Sequence, residues 1–376
     1  METSSNFPLE DSEISLRKVF DKKTLFLLSF AAVALSVYLY LGGVSIFDMI
    51  SIMMNAIRYN FLILVLGTLF TFIAVLIDTL AWRILMGIST IRPSVSSVYR
   101  IQLASFSYGL LIPSAGAIEG IMRIALGVQE FDNEEENRNA TSGEILASVL
   151  AHKLLGLIAF IPISMFVAFS LLAFFDVSSD VAIYFVVIIS LLSIVVVTFF
   201  ILVAKSPKTA KKAVLFILRQ VSRVPLIGKS AENALEPSEK IIDDFSVQFT
   251  YLAKNKLASL SALILAFFSQ IAHWLAIYFI LTSLPDLTIS LSQVAAINFL
   301  GGTVDFLPVG IPGMAGLKEI ALSISLDAIL LDTDLAASAA ILLQLMKFYL
   351  VIVIGLLVYV IGKSRVTTQD SKEDVF

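Results

Sequence analysis

Cysteine is absent from the chain. That excludes disulfides, thiolate metal sites and cysteine nucleophiles, and leaves the compartment open. Histidine is almost absent: His152 and His273 are the only two in 376 residues, and both sit in apolar runs far from one another. A metal site needs more converging ligands than this. Each histidine is therefore expected to pack or to anchor a polar contact, and no metal or other cofactor is expected. No nucleotide-binding motif occurs, so ATP is not used by this chain itself, and no nucleic-acid partner is expected. Charge is scarce as well, at 15% of residues against about a quarter in a soluble domain.

What fills the chain instead is apolar sequence, 58% of it. A hydrocarbon core takes roughly 20 helical residues to cross, and full-length runs occur at Thr24–Leu41, Phe61–Met86, Ile145–Ala173, Val181–Ala204, Leu257–Leu284 and Ala336–Ile361. The first follows Arg17, Lys18, Lys22 and Lys23 in the manner of a signal peptide. No small-residue cleavage site follows it, so it is expected to be a retained helix. Lys and Arg concentrate in residues 205–256 and flank the runs at the N-terminus and at Lys363 and Arg365, which places those segments on the cytoplasmic side. The connections near Asp48, Asp176–Asp180, Asp286 and Asp327–Asp334 hold almost no basic residues and are expected outside.

Two further apolar regions, Ser94–Val128 and Ser290–Leu326, are broken near their middles by proline and glycine. Parity of the crossings makes the first begin and end inside and the second begin and end outside. Each is expected to be a re-entrant pair of half-helices, because non-helical backbone is tolerated at membrane depth only within protein or beside an aqueous cavity. The regions also resemble each other. "LLIPSAGAIEGIMRIALG" ends in Arg123-Ile-Ala-Leu and "FLPVGIPGMAGLKEIALS" in Glu319-Ile-Ala-Leu; the spans that follow carry one lysine each, Lys153 and Lys347, at separations of 153 − 123 = 30 and 347 − 319 = 28. The expected fold is an all-α polytopic membrane protein, with six full spans plus two re-entrant broken-helix pairs in an inverted-topology repeat. Its parts are a cytoplasmic segment 1–23, a transmembrane domain 24–361 and a cytoplasmic tail 362–376. Repeat A covers 61–173, repeat B covers 257–361, and an amphipathic linker occupies 205–256.

Inverted repeats of broken helices place a substrate site near the midplane between the halves. Pro113, Gly116, Pro312, Gly313 and Gly316 are the expected break and cavity residues. Ions at that depth cost roughly 2.5–3.5 kcal/mol each on insertion scales and are usually functional. Glu119, Arg123, Lys153, Asp305, Lys318, Glu319 and Lys347 qualify, whereas Asp78 is expected close enough to the inner interface to be solvated. Arg123, Lys153, Glu319 and Lys347 hold repeat-related positions and are expected to converge near the pseudo-two-fold axis. Three cations against one anion suit a phosphate diester. The competing reading is that the same ions pair with one another and lock the halves together. In the linker, Lys208, Lys212, Arg219 and Arg223 oppose Val214, Ile217, Leu218 and Val221, the pattern of a helix lying on anionic lipid. "EFDNEEENRN" reads as a solvated acidic loop, and Asp243-Asp244 as part of a polar linker.

The re-entrant segment leading to Arg123 and the later "IPGMAGLKE" resemble the transmembrane domain of the lysylphosphatidylglycerol synthase/flippase family, across roughly Leu25 to Ile361. The family typically shows Pro-Gly-Gly-x-Gly where this chain has Pro312-Gly313-Met314-Ala315-Gly316, and Pro113-Ser114-Ala115-Gly116 also lacks a glycine pair. Bifunctional members add a soluble C-terminal domain that transfers lysine from lysyl-tRNA to phosphatidylglycerol. With 15 residues after Ile361, that domain is expected to be absent here. The resemblance implies a flippase or scramblase, not an enzyme, that moves a phosphate-bearing lipid headgroup between leaflets of the cell membrane. Its partners would be a phospholipid or polyprenyl-phosphate lipid, and a homo-oligomer is compatible with this. The alternatives are an intramembrane transferase of polyprenyl-phosphate-sugar metabolism, which wants a spaced acidic motif not found here, and a small-solute transporter.

Overall fold

The computed structural model of the chain describes residues 45–88, 91–111, 117–131, 141–174, 247–285, 287–303, 316–330 and 332–359, with scattered positions in 29–40 and 198–212. All regular structure among them is helical. The helices are α1 (Ile46–Tyr59), α2 (Phe61–Ile88), α3 (Val95–Leu111), α4 (Ala117–Phe131), α5 (Ser142–Phe174), α6 (Lys256–Thr282), α7 (Leu291–Thr303) and α8 (Leu317–Leu330). The last, α9 (Thr333–Tyr359), contains a π turn at Leu345–Tyr349.

Four helical stretches among the described residues are long and apolar enough to cross a membrane: Phe61–Ile88, Gly143–Phe160 within α5, Lys256–Thr282 and Thr333–Tyr359. They coincide with four of the expected spans, so the chain is a multi-pass membrane protein. Of the other two expected spans, Thr24–Leu41 and Val181–Ala204, and of the linker helix only scattered positions are described, while Asp243-Asp244, the acidic loop beyond Phe131 and the tail lie outside the described residues. Each broken region divides into two helices, α3 and α4, then α7 and α8. At 17, 15, 13 and 14 residues and 1.5 Å per residue, these reach about 20–26 Å, short of a full crossing of about 30 Å.

Local chemistry fixes where the helices begin. At α5, Thr141 Oγ1 accepts the Glu144 N–H at 3.2 Å while Glu144 Oε2 accepts the Thr141 N–H at 2.9 Å, a reciprocal capping box. Ser290 and Gln293 repeat it at α7, with bonds of 3.3 and 2.9 Å. Ser94, following Pro93, caps α3 through the Ser97 N–H at 3.0 Å, and Asp332 caps α9 through the Leu335 N–H at 3.0 Å.

Each half has its own packed centre. Trp82, Met86, Val98, Ile101, Met122, Leu126, Ile145 and Val149 join α2, α3, α4 and α5. Ile277, Ile280, Leu281, Val294, Ile297, Leu322, Leu326 and Ala339 join α6, α7, α8 and α9. Lipid tails are as apolar as leucine, so close van der Waals contact rather than exclusion of water must hold such helices together. The α2–α6 crossing shows how this is met, with small residues on both sides. A Cβ on Gly67 would lie 2.8 Å from Ile280 N and 3.0 Å from Ala276 O, and Ser269 Oγ donates to Ala74 O at 3.0 Å. The reciprocal residues, Ala262 against Ala81 and Leu85, share one buried cluster. Gly67 and Ala262, Ala74 and Ser269, Ala81 and Ala276, and Leu85 and Ile280 each differ by 195 in number, as in 269 − 74.

One element departs from expectation. The segment around Asp48, expected as a connection, is helix α1. It packs on α9, with Ser45 N–H donating to Asp334 Oδ1 at 3.1 Å. Ile46, Phe47, Ile50, Met54 and Ile57 are exposed along it, an apolar face too short to span but suited to the membrane interface.

Candidate functional site

Three helices of the first half each turn an i, i+4 pair of polar or aromatic groups toward a common point, because residues four apart share a helix face. From α2 come Asp78 and Trp82, from α4 Glu119 and Arg123, and from α5 Ser148 and His152. Arg123, only 2% exposed, is the centre. Its Nη2 donates to Glu119 Oε1 and lies 4.0 Å from Asp78 Oδ2. Its Nη1 meets His152 Nδ1 at 3.0 Å. Its guanidinium lies over the Trp82 ring, 5.4 Å from the centroid, while Trp82 Nε1 donates to Ser148 Oγ at 3.0 Å.

The two carboxylates are tied further. Asp78 Oδ2 accepts from Gln102 of α3 at 2.6 Å, and Asp78 Oδ1 lies 3.2 Å from His152 Nε2. Glu119 Oε2 accepts from Lys153 Nζ at 2.7 Å. The Lys153 side chain is 42% exposed, so it forms the open edge of a site whose floor is Arg123. Close approach of α3 to α4 makes this possible. A Cβ on Gly109 would fall 2.7 Å from Glu119 Cβ, so glycine lets the Glu119 backbone come up against α3.

In the second half, Glu319 stands three residues after Gly316, whose φ of 82° is a backbone state that glycine enters freely. Glu319 Oε2 accepts the Gly316 N–H at 2.7 Å and Oε1 accepts the Tyr349 O–H at 2.6 Å. The carboxylate thus caps α8 from within its first turn. Lys347 Nζ donates to Asn298 Oδ1 at 3.2 Å, and Lys318 Nζ stands 3.8 Å from the Phe348 ring centroid. The π turn inserts Lys347, Phe348 and Tyr349 into this group; such turns often mark functional sites. Replacing Glu319 by alanine removes two hydrogen bonds to a buried charge and should lower stability by about 2–3 kcal/mol. Glutamine, which still offers an acceptor, should keep most of it. Thermal unfolding in detergent reads both, and equal melting of the alanine variant and wild type would exclude the capping role.

The four residues expected to converge fall, by their direct partners, into two groups. Arg123 and Lys153 join through Glu119, whereas Glu319 and Lys347 belong to the second group, and among the described residues Arg123 pairs with Glu119 and Asp78 rather than with Glu319. Asp78, expected close to the inner interface, is the 18th of 28 residues in α2, about 25 Å along the helix from its first residue; its side chain is 29% exposed, and it also completes the Arg123 site. With it counted, Arg123 and Lys153 face two carboxylates, and the expected cationic surplus disappears from the first group. Phe106 of α3 stacks on Phe348, with centroids 6.5 Å apart, and so packs the first half against the second group. Pro113, Gly116, Asp305, Pro312 and Gly313 lie outside the described residues. No group of three His, Asp or Glu side chains among the described residues converges as metal ligands.

The chain matches no curated protein and no solved structure. Residues 26–355 match the family of the lysylphosphatidylglycerol synthase TM region, a span that contains both polar groups and all of α1–α8, and all but the last four residues of α9. A membrane domain related to lipid metabolism or transport is thereby established, and the chain belongs to that family.

Proposed function

We propose that this protein is a lipid flippase or scramblase, a transporter rather than an enzyme, and that it moves a phosphate-bearing headgroup between leaflets through the cleft between its halves. The acyl tails stay in the bilayer. The observation that carries this reading is Arg123: a planar, five-donor cation set at membrane depth, with Lys153 exposed beside it as the point of entry. The reciprocal α2–α6 crossing supports an inverted repeat about an axis near Ala74 and Ser269. In that arrangement α3–α4 and α7–α8 are re-entrant pairs entering from opposite faces. The N- and C-termini are then cytoplasmic and the cell membrane is the site of action.

The test is reconstitution into liposomes containing phosphatidylglycerol with a fluorescent tail. A membrane-impermeant reductant added outside bleaches only outer-leaflet lipid. Protein-containing vesicles should lose the inner-leaflet signal well beyond the rate of protein-free vesicles. Equal rates would exclude lipid movement by this chain.

A further inference from the structure

The contact between Arg123 and His152 constrains a proton. A guanidinium nitrogen only donates and is never deprotonated in proteins, so His152 Nδ1, 3.0 Å from Arg123 Nη1, must accept. The imidazole is then the neutral tautomer, with its single N–H on Nε2, facing Asp78 Oδ1 at 3.2 Å. Adding a proton at Nδ1 converts the acceptor into a donor and sets two cations against each other, which breaks the contact. His152 is buried, so the exchange is not screened by bulk water.

We propose that His152 is a proton site coupled to anion binding at Arg123: when Nδ1 takes a proton, Arg123 Nη1 is released, and a phosphate oxygen occupies the place the ring nitrogen held. The inference rests on the reading of Arg123 as a headgroup site. The neutral cluster carries two cations and two carboxylates and offers an incoming anion no net attraction; the imidazolium supplies the missing positive charge. The groups facing His152 fit this. Asp78 from α2, with Oδ1 3.2 Å from Nε2, remains as the counter-charge to the imidazolium, with Gln102 of α3 bracing it. Glu119 from α4 keeps Arg123 Nη2, so the guanidinium turns without leaving. Lys153, next to His152 on α5, stays on Glu119. Linkage then runs both ways: the proton favours the anion and the anion favours the proton. Headgroup movement becomes proton-coupled.

The experiment uses the full-length protein in detergent, with 15N-labelled histidine. Two imidazole signal sets are expected, and His152→Asn assigns them. At constant pH, short-chain phosphatidylglycerol should raise the protonated fraction of His152 several-fold, while the matching uncharged diacylglycerol should not. Inorganic phosphate is the second probe. A shift with either anion supports the linkage, and the larger one tells whether the site prefers a lipid diester or free phosphate. No shift with either overturns the proposal. In liposomes, lipid movement should accelerate as pH falls and become flat and slow in His152→Asn, whose amide oxygen accepts from Arg123 but takes no proton. Unchanged pH dependence in that variant also overturns it. Absence of any lipid movement by wild-type protein sinks the flippase reading, while the imidazole signals, read in detergent, still decide the proton linkage.

Discussion

Arg123→Ala should lower the melting temperature in detergent and abolish lipid movement, and the first effect should be partly reversed by Glu119→Gln while the second is not. Arg123 answers two carboxylates, directly at Glu119 and at 4.0 Å from Asp78. Removing one partner of a buried pair leaves an uncompensated ion, at a loss of roughly 3–5 kcal/mol. Deleting the arginine leaves Lys153 alone against two negative charges. Adding Glu119→Gln returns the balance to one cation and one carboxylate, so the double variant should be more stable than Arg123→Ala alone. This non-additivity is the signature of direct coupling. Transport separates the two meanings of the cluster. If Arg123 holds the headgroup, a stable double variant remains inactive. A double variant that is both stable and active would make the cluster a structural lock and exclude the phosphate site. Arg123→Lys gives the finer reading: partial activity means that charge suffices, and none means that the planar fork is required.

Four of the expected spans, and the division of each broken region into two helices, were legible in the sequence for a simple reason. A helix in lipid must be apolar all round and long enough to cross, and Pro-Gly pairs cannot be hidden in it. α2, α5, α6 and α9 begin and end within three residues of the apolar runs. The partners of the ions were harder. Glu119 and Arg123 fall on one face of α4 by spacing alone, so their pairing could be read. Asp78 could not be placed by counting from the nearer basic residues, because Arg83 and Arg92 suggested a nearby interface. Arg83 instead turns to the Pro93 carbonyl at 2.8 Å, and Asp78 faces inward. The available signal was the spacing of Asp78 and Trp82, an i, i+4 pair on the same face as the buried Leu85 and Met86. His152 anchors a polar contact, one of the two roles expected of it, but its partner Arg123 could not be named from the sequence. A lone histidine in an apolar run resembles packing until the helix opposite it is known. The repeat suggested that Glu319 would mirror Arg123, and the positions do match in order along the chain. Their chemistry differs, since Glu319 serves the buried N–H at its own helix start and Arg123 serves carboxylates on its own helix and on α2. Helix α1 escaped because its apolar residues cover only one face over 14 residues.

Gly67→Leu should be the most disruptive single change along the α2–α6 crossing, and Ala262→Leu should match it. Even the single methyl of Gly67→Ala would sit 2.8 Å from both Ile280 N and its side-chain Cγ1. The backbone atom cannot move aside without moving α6, so overpacking of about 1–3 kcal/mol is expected for alanine and more for leucine. Other glycines give the opposite sign. At Gly156 in α5 an added Cβ meets nothing within 4 Å, and glycine inside a helix is less favourable than alanine by about 0.5–1 kcal/mol, so Gly156→Ala should stabilise. Thermal unfolding of the four variants measures this directly. The comparison of Gly67 with Ala262 also bears on the repeat. Ala262 lies 195 residues after Gly67 and meets Ala81 and Leu85 as Gly67 meets Ala276 and Ile280. If the two halves are related by an axis through the crossing, a leucine at either place wedges the same interface from opposite ends, and losses of stability and of lipid movement should be alike. A large effect at Gly67 with none at Ala262 would make the crossing one-sided and remove the axis. The site would then have to be understood as belonging to the first half alone, with Lys347 and Glu319 as scaffolding for α8 and α9.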